Sequence, residues 1–134
     1  MPQMIFVNIP VTDVAASRKF YQALGYTINE QFSDATAASV VISDTIYLMI
    51  LNHERFQGFA TKPLADPAKG TAVMLALSQD SRAAVDAITE AARAAGGTEP
   101  KPAQDLGFMY SRTFHDPDGN VLEPFWMDQA AAQG

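Results

Sequence analysis

The chain has 134 residues, enough for one domain or two small modules sharing a core, and 48% apolar with 18% charged residues is a globular composition rather than a disordered one. A formal net charge of −6 without any basic block argues against nucleic acid and anionic membrane surfaces as partners, and no apolar run is long enough to span a bilayer. With no cysteine, disulfides, thiolate metal sites and cysteine nucleophiles are excluded; residues 1–10 carry no basic leader character, so a cytoplasmic protein is expected.

Residues 4–11 are short and rich in β-branched side chains, so they read as a strand. Its alternation puts Ile5, Val7, Ile9 and Val11 on an apolar face suited to packing under a helix. Phe6, Asn8 and Pro10 share the other face. Thr12 and Asp13 offer helix caps, and Val14, Ser17, Phe20, Tyr21 and Leu24 recur at helical spacing up to Gly25. Residues 26–33, 38–43 and 46–51 read as three further strands, which makes the first half βαβββ. Residues 53–70, with mixed charge, glycine and proline, read as a connector holding one short helical turn.

The second half begins the same way. Residues 72–78 read as a strand, Asp80 or Ser81 as a helix cap, and Val85, Ile88, Ala92 and Ala95 as the apolar helix side ending at Gly96-Gly97. A short strand is expected at 98–101, a polar loop up to Gly107, and strands at 108–114 and 121–126. The Asp-Gly pair between the last two signals a hairpin. A two-residue Asp118-Gly119 turn would set Phe114 against Glu123 and bring Arg112 diagonally onto the face of Glu123; a slip of one residue would place Thr113 and His115 there instead. The tail, 128–134, is expected to fray. The halves repeat in pattern: Asp13 and Asp80 each follow a strand at a helix start, and Asp44 and Asp118 each precede Met49 and Glu123 by five places.

Few residues carry chemistry. His53 and His115, the only histidines, read first as solvated or hydrogen-bonded groups and lack helical metal-ligand spacing. Glu123 stands out because it lies inside an apolar strand, where a carboxylate needs water, a cation or hydrogen bonds. It reads either as a structural partner of Arg112 or as a ligand or catalytic carboxylate in a cavity. Asn8 reads as a satisfied core amide or as a substrate hydrogen-bonding group. No nucleotide-binding glycine pattern occurs, and the acids of the hairpin turn lack a calcium-loop pattern.

Val11-Thr12-Asp13 with Ser17, Phe20-Tyr21 and Leu24-Gly25 resembles the first-module signature of the vicinal oxygen chelate superfamily, which includes glyoxalase I, extradiol dioxygenases and bleomycin-resistance proteins. Asp116-Pro117-Asp118-Gly119-Asn120-Val121-Leu122-Glu123 resembles its C-terminal signature, and the chain is most similar to the bacterial predicted lactoylglutathione lyase-like group. The resemblance implies an α+β fold of two βαβββ modules (1–52 and 71–134, joined by 53–70) whose curved mixed sheets surround a groove, and a homodimer. It also implies a metal on four strand positions, which fall on Phe6, Val73, Met49 and Glu123. Phe6 and Val73 offer no lone pair and Met49 only a thioether, so no metal site and no cofactor are expected. A divalent metal at Glu123 with His53 or Asn8 is the alternative.

The groove is expected to hold Phe6, Asn8, Tyr47, Met49, Val73, Leu75 and Glu123, with Arg112 helping to orient a ligand. Phe6 would face Val73 and Met49 would face Glu123 across a pseudo-twofold axis. Two functions follow. One is a small-molecule-binding protein with a degenerate metal site. The other is a glyoxalase-like lyase or isomerase acting on a small carbonyl compound, with Glu123 as the catalytic group.

Overall fold

A computed structural model describes residues 2–130, and the chain divides into two compact units, Met1–Gly70 and Thr71–Gly134. In the first unit, β1 (Ile5–Val11) leads into α1 (Val14–Ala23), followed by β2 (Thr27–Asn29), β3 (Ala37–Val41), β4 (Ile46–Asn52) and α2 (His53–Phe59). The sheet runs β1-β4-β3-β2, with β1 parallel to β4 and the other pairs antiparallel. Asp13 caps α1 by accepting from Ala16 N–H, and Gly25 ends it at φ +101°, a conformation that spares only glycine steric strain.

The two faces of this sheet follow the expected alternation. Ile9, Val11, Val40, Leu48 and Ile50 are buried together with Val14, Phe20 and Tyr21 of α1, which packs against β2, β3 and β4. The register places Phe6 beside Tyr47 and Asn8 beside Met49 on the other face. Ser39 pairs with both Met49 and Asn29, so Asn29, Ser39, Met49 and Asn8 form one row across four strands. Two expectations change. The strand foreseen over 26–33 stops at Asn29, whose side chain accepts from Gln31 N–H and turns Glu30–Phe32 into a 3-10 helix. Within 53–70, the helical part extends to seven residues, capped by Asn52, and packs on β1 and β4.

In the second unit, β5 (Met74–Ser78) precedes α3 (Arg82–Ala94), then β6 (Gln104–Asp105), β7 (Met109–Ser111), β8 (Phe114–His115) and β9 (Val121–Met127). The order is β5-β9-β7-β6, with β8 also on β9 and β5 parallel to β9. Leu122, Pro124 and Phe114 are buried against the α3 side that carries Val85, Ile88, Thr89 and Ala92. The strand expected at 98–101 is a single bridge from Thr98 to His115, and the loop before Gly107 contains β6. Asp128 N–H bonds Phe108 O, and residues 131–134 of the expected tail lie outside the described residues.

Two one-residue corrections govern the second unit. Ser81, not Asp80, caps α3, accepting from Ala84 N–H. The position equivalent to Phe6 is therefore Met74 rather than Val73: β1 aligns Asn8 with Met49, and β5 aligns Ala76 with Glu123. Leu75, beside Leu122, belongs to the helix face and not to the face of Glu123. The second correction is the hairpin. Asp116 N–H bonds Asn120 O, so the loop holds three residues, Pro117 to Gly119, and Gly119 takes φ +97°. Phe114 thus faces Leu122 instead of Glu123.

Candidate functional site

The first-unit sheet face turned away from α1 carries a pocket of about 420 Å³. Ser39 and Met49 belong to the strand row just described, and Asn29 borders the pocket at the β2 end. Phe6 and Tyr47 line another side, their rings stacked at 4.7 Å between centroids and 11° between planes. Phe32, brought in by the 3-10 turn, and Met4 complete the lining. Phe6 is 50% exposed and Phe32 65% exposed, which is unusual for large aromatic side chains.

The polar atoms here are few and partly committed. The Tyr47 hydroxyl donates to Asp44 O at 3.1 Å, which fixes the ring. Asn29 Oδ1 accepts from Gln31 N–H, so the amide is oriented with its Nδ2 donors remaining. Ser39 is 3% exposed overall, with its backbone N–H donated to Ser33 Oγ. Asn8 is exposed rather than a core amide; its Nδ2 donates to Phe6 O at 3.2 Å. Of the residues expected to line a groove, Phe6, Tyr47 and Met49 therefore come together, and Asn8 shares their sheet face.

Glu123, in the second unit, is half-buried on the sheet face away from α3. Thr113 lies on the same face, and its hydroxyl donates to Glu123 Oε1 at 3.5 Å. Arg112 is absent from that face. The register turns it toward α3, where it is 11% exposed and binds Glu99 at 2.8 Å, Asp86 at 3.0 Å and Glu90 at 2.6 Å. The expected Arg112–Glu123 pair does not form, and Arg112 is a structural cation.

Its guanidinium holds the carboxyls of Glu90 and Glu99 below the usual carboxylate range. Asp86 is lowered first by the Tyr110 hydroxyl and then by Arg112, and the same hydrogen bond raises the Tyr110 phenol. His53 opens α2 with its Nε2 buried and unbonded among the described residues, and His115 joins Thr98 through backbone bonds. Among the described residues no three histidine or acidic side chains gather into a set that could hold a metal.

Residues 3–43 match the family model described as bleomycin resistance protein-like N-terminal. The fold as a whole matches solved structures. A hypothetical protein from S. aureus superposes with a TM-score of 0.78 at 24% identity, over 94% of each chain. A glyoxalase/bleomycin resistance protein/dioxygenase family enzyme from Burkholderia phytofirmans gives 0.75 at 23% identity, over 94% of this chain and 99% of the other. The chain has the glyoxalase/bleomycin resistance fold. A bleomycin resistance determinant encoded on the transposon Tn5 shares the glyoxalase/bleomycin resistance fold at a TM-score of 0.66 and 19% identity, over 95% of this chain and 99% of that one. No curated protein matches the sequence.

The residues missed by sequence reasoning are Met4, Asn29, Phe32 and Ser39. A signal existed for two of them. Ser39 is polar within an otherwise apolar strand, and Asn29 precedes an acidic residue at a helix start. Among the described residues no helix is long and apolar enough to cross a membrane.

Proposed function

We propose that this protein binds a small molecule in the first-unit pocket and that its ancestral-type metal site is degenerate. The observation that carries the reading is the chemistry of Phe6 and Met49. The superfamily resemblance puts metal ligands at these two positions, and here they are pocket walls, with Phe6 stacked on Tyr47. A phenyl ring has no lone pair and a thioether suits hard divalent cations poorly, so these residues do not fit the metal. Met74, the second-unit equivalent of Phe6, adds another thioether. An apolar, partly enclosed pocket with a few oriented polar groups is the usual form of a ligand site. The protein would work as a cytoplasmic homodimer that sequesters its ligand.

The test is a metal assay on protein purified without chelator, paired with calorimetric screening of small aromatic and aliphatic compounds. The expected result is far less than one divalent ion per chain, together with saturable ligand binding lost in Tyr47→Ala. A stoichiometric divalent ion that disappears in Glu123→Gln overturns the reading.

A second reading rests on Glu123. A half-buried carboxylate beside the Thr113 hydroxyl can take or give a proton, as a glyoxalase-like lyase or isomerase acting on a small carbonyl compound or its thiol adduct would require. This would place the chain with lactoylglutathione lyase-like proteins. Turnover of such a compound that persists unchanged in Glu123→Gln leaves this reading without a catalyst.

A further inference from the structure

We propose that the first-unit pocket selects an uncharged, flat aromatic molecule bearing a hydrogen-bond acceptor, and rejects anions, thiol-adduct carboxylates included. This rests on the reading that the pocket binds ligands, and it adds the ligand's chemical class.

Three observations converge on it. First, the residues lining the pocket are all uncharged: methionine, aromatic, asparagine and serine side chains. An anion taken from water into such a site loses its hydration without gaining a counter-ion, so anions are disfavoured. The net charge of −6 adds a repulsive field against anions.

Second, the aromatic surface is prebuilt. Tyr47 is anchored at both ends, by its strand and by its hydroxyl on Asp44 O, and Phe6 is stacked parallel to it. Exposed Phe32 supplies a further ring on the pocket wall. Rings held in place before binding lose little freedom on meeting a flat ligand, which favours stacking over contact with a flexible aliphatic chain.

Third, the polar groups are biased toward donation. With Asn29 Oδ1 occupied by Gln31 N–H, Nδ2 remains as a donor, and the Ser39 hydroxyl can donate as well. The Tyr47 hydroxyl proton is spent on Asp44 O, so it does not compete. A carbonyl or ring-nitrogen acceptor satisfies these donors without introducing charge.

The experiment uses the full chain and three probes with one ring system: naphthalene, 2-acetylnaphthalene and 2-naphthoate, each titrated by calorimetry against wild type, Phe32→Ala and Ser39→Ala. Phe32 is exposed, and Ser39→Ala removes only a hydroxyl, so both variants should fold; circular dichroism checks this. The expected result is that 2-acetylnaphthalene binds at least tenfold tighter than 2-naphthoate. Phe32→Ala should weaken it severalfold, and Ser39→Ala should bring its affinity toward that of naphthalene. If 2-naphthoate binds as tightly as the ketone and Phe32→Ala weakens both, the pocket is a ligand site and the proposed ligand class is wrong. If no probe binds, or Phe32→Ala changes none of the affinities, the pocket reading itself fails and takes this proposal with it.

Discussion

Phe6 and Tyr47, side by side on parallel strands β1 and β4, form a two-ring stack with centroids 4.7 Å apart. Because Phe6 is half-exposed, the stack contributes little to the core and much to the surface a ligand meets. Phe6→Ala is therefore expected to weaken an aromatic ligand by about 0.5–1.5 kcal/mol, roughly twofold to twelvefold, while leaving the melting temperature nearly unchanged. Calorimetric titration beside a thermal melt of the same variant checks both halves. A large loss of stability with unchanged affinity would show the stack to be structural.

Arg112 gathers Glu99, Asp86 and Glu90, drawing residues of α3 and of the segment after it onto the sheet. Arg112→Met is expected to cost about 2 kcal/mol, because it leaves the most enclosed partner, Glu99, with only Arg93 at 3.8 Å. The three carboxyls sit below their ordinary range, so the cluster stabilises the fold fully above that range. Its contribution fades as acidification takes the pH down through the depressed values. Urea unfolding should therefore show the widest gap between wild type and variant near neutral pH, narrowing below about pH 4.5.

The three-residue hairpin loop is organised by Asp116, which is 3% exposed. Its carboxylate accepts from Asp118 N–H at 3.0 Å, Asn120 N–H at 2.8 Å and Asn120 Nδ2 at 3.0 Å. Asp116→Ala should destabilise by about 2–3 kcal/mol and Gly119→Ala by about 1 kcal/mol, the latter from forcing a Cβ into the left-handed region. Denaturant midpoints at constant slope are the measurement.

Phe59 is 70% exposed on α2, with the Arg55 guanidinium 5.7 Å from its ring centroid. A homodimer in which residues 53–70 or the first-unit strands meet the partner gives such a ring something to cover. Light scattering at micromolar concentration should return about twice 14.5 kDa, and Phe59→Ser should shift the population toward monomer. A mass of one chain at every concentration removes the dimer.

The sheet faces of the first unit were legible because Ile5, Val7, Ile9 and Val11 alternate onto one face, and Asp13 caps the helix; of the four, Ile9 and Val11 are buried while Ile5, at the start of the strand, is 55% exposed. The second unit was harder for local reasons. Asp80 and Ser81 are both competent caps, and Val73-Met74-Leu75-Ala76-Leu77 is apolar at every place, so alternation does not set its phase. One residue of ambiguity moved Val73 and Leu75 to the wrong positions. The hairpin shows the same limit: Asp118-Gly119 suits a two-residue turn, but the hydrogen bonds of Asp116 favour a three-residue loop. That choice decides whether Arg112 or Thr113 shares a face with Glu123. Phe32 was out of reach because its place depends on a side-chain cap at Asn29 that ends a strand early.

Arg82 lies 5.1 Å above the ring of Trp126 and 5.2 Å above that of Tyr110, and its guanidinium also bonds Asp105 at 2.9 Å. Trp126 is the chain's one tryptophan, and it belongs to the second unit. The molecule therefore carries a built-in optical label on one half only. Emission excited at the red edge follows the second unit alone, whereas far-ultraviolet dichroism follows both. Superimposable melts by the two methods would mean that the halves unfold as a single cooperative block, and separated melts would mean that each half has its own stability.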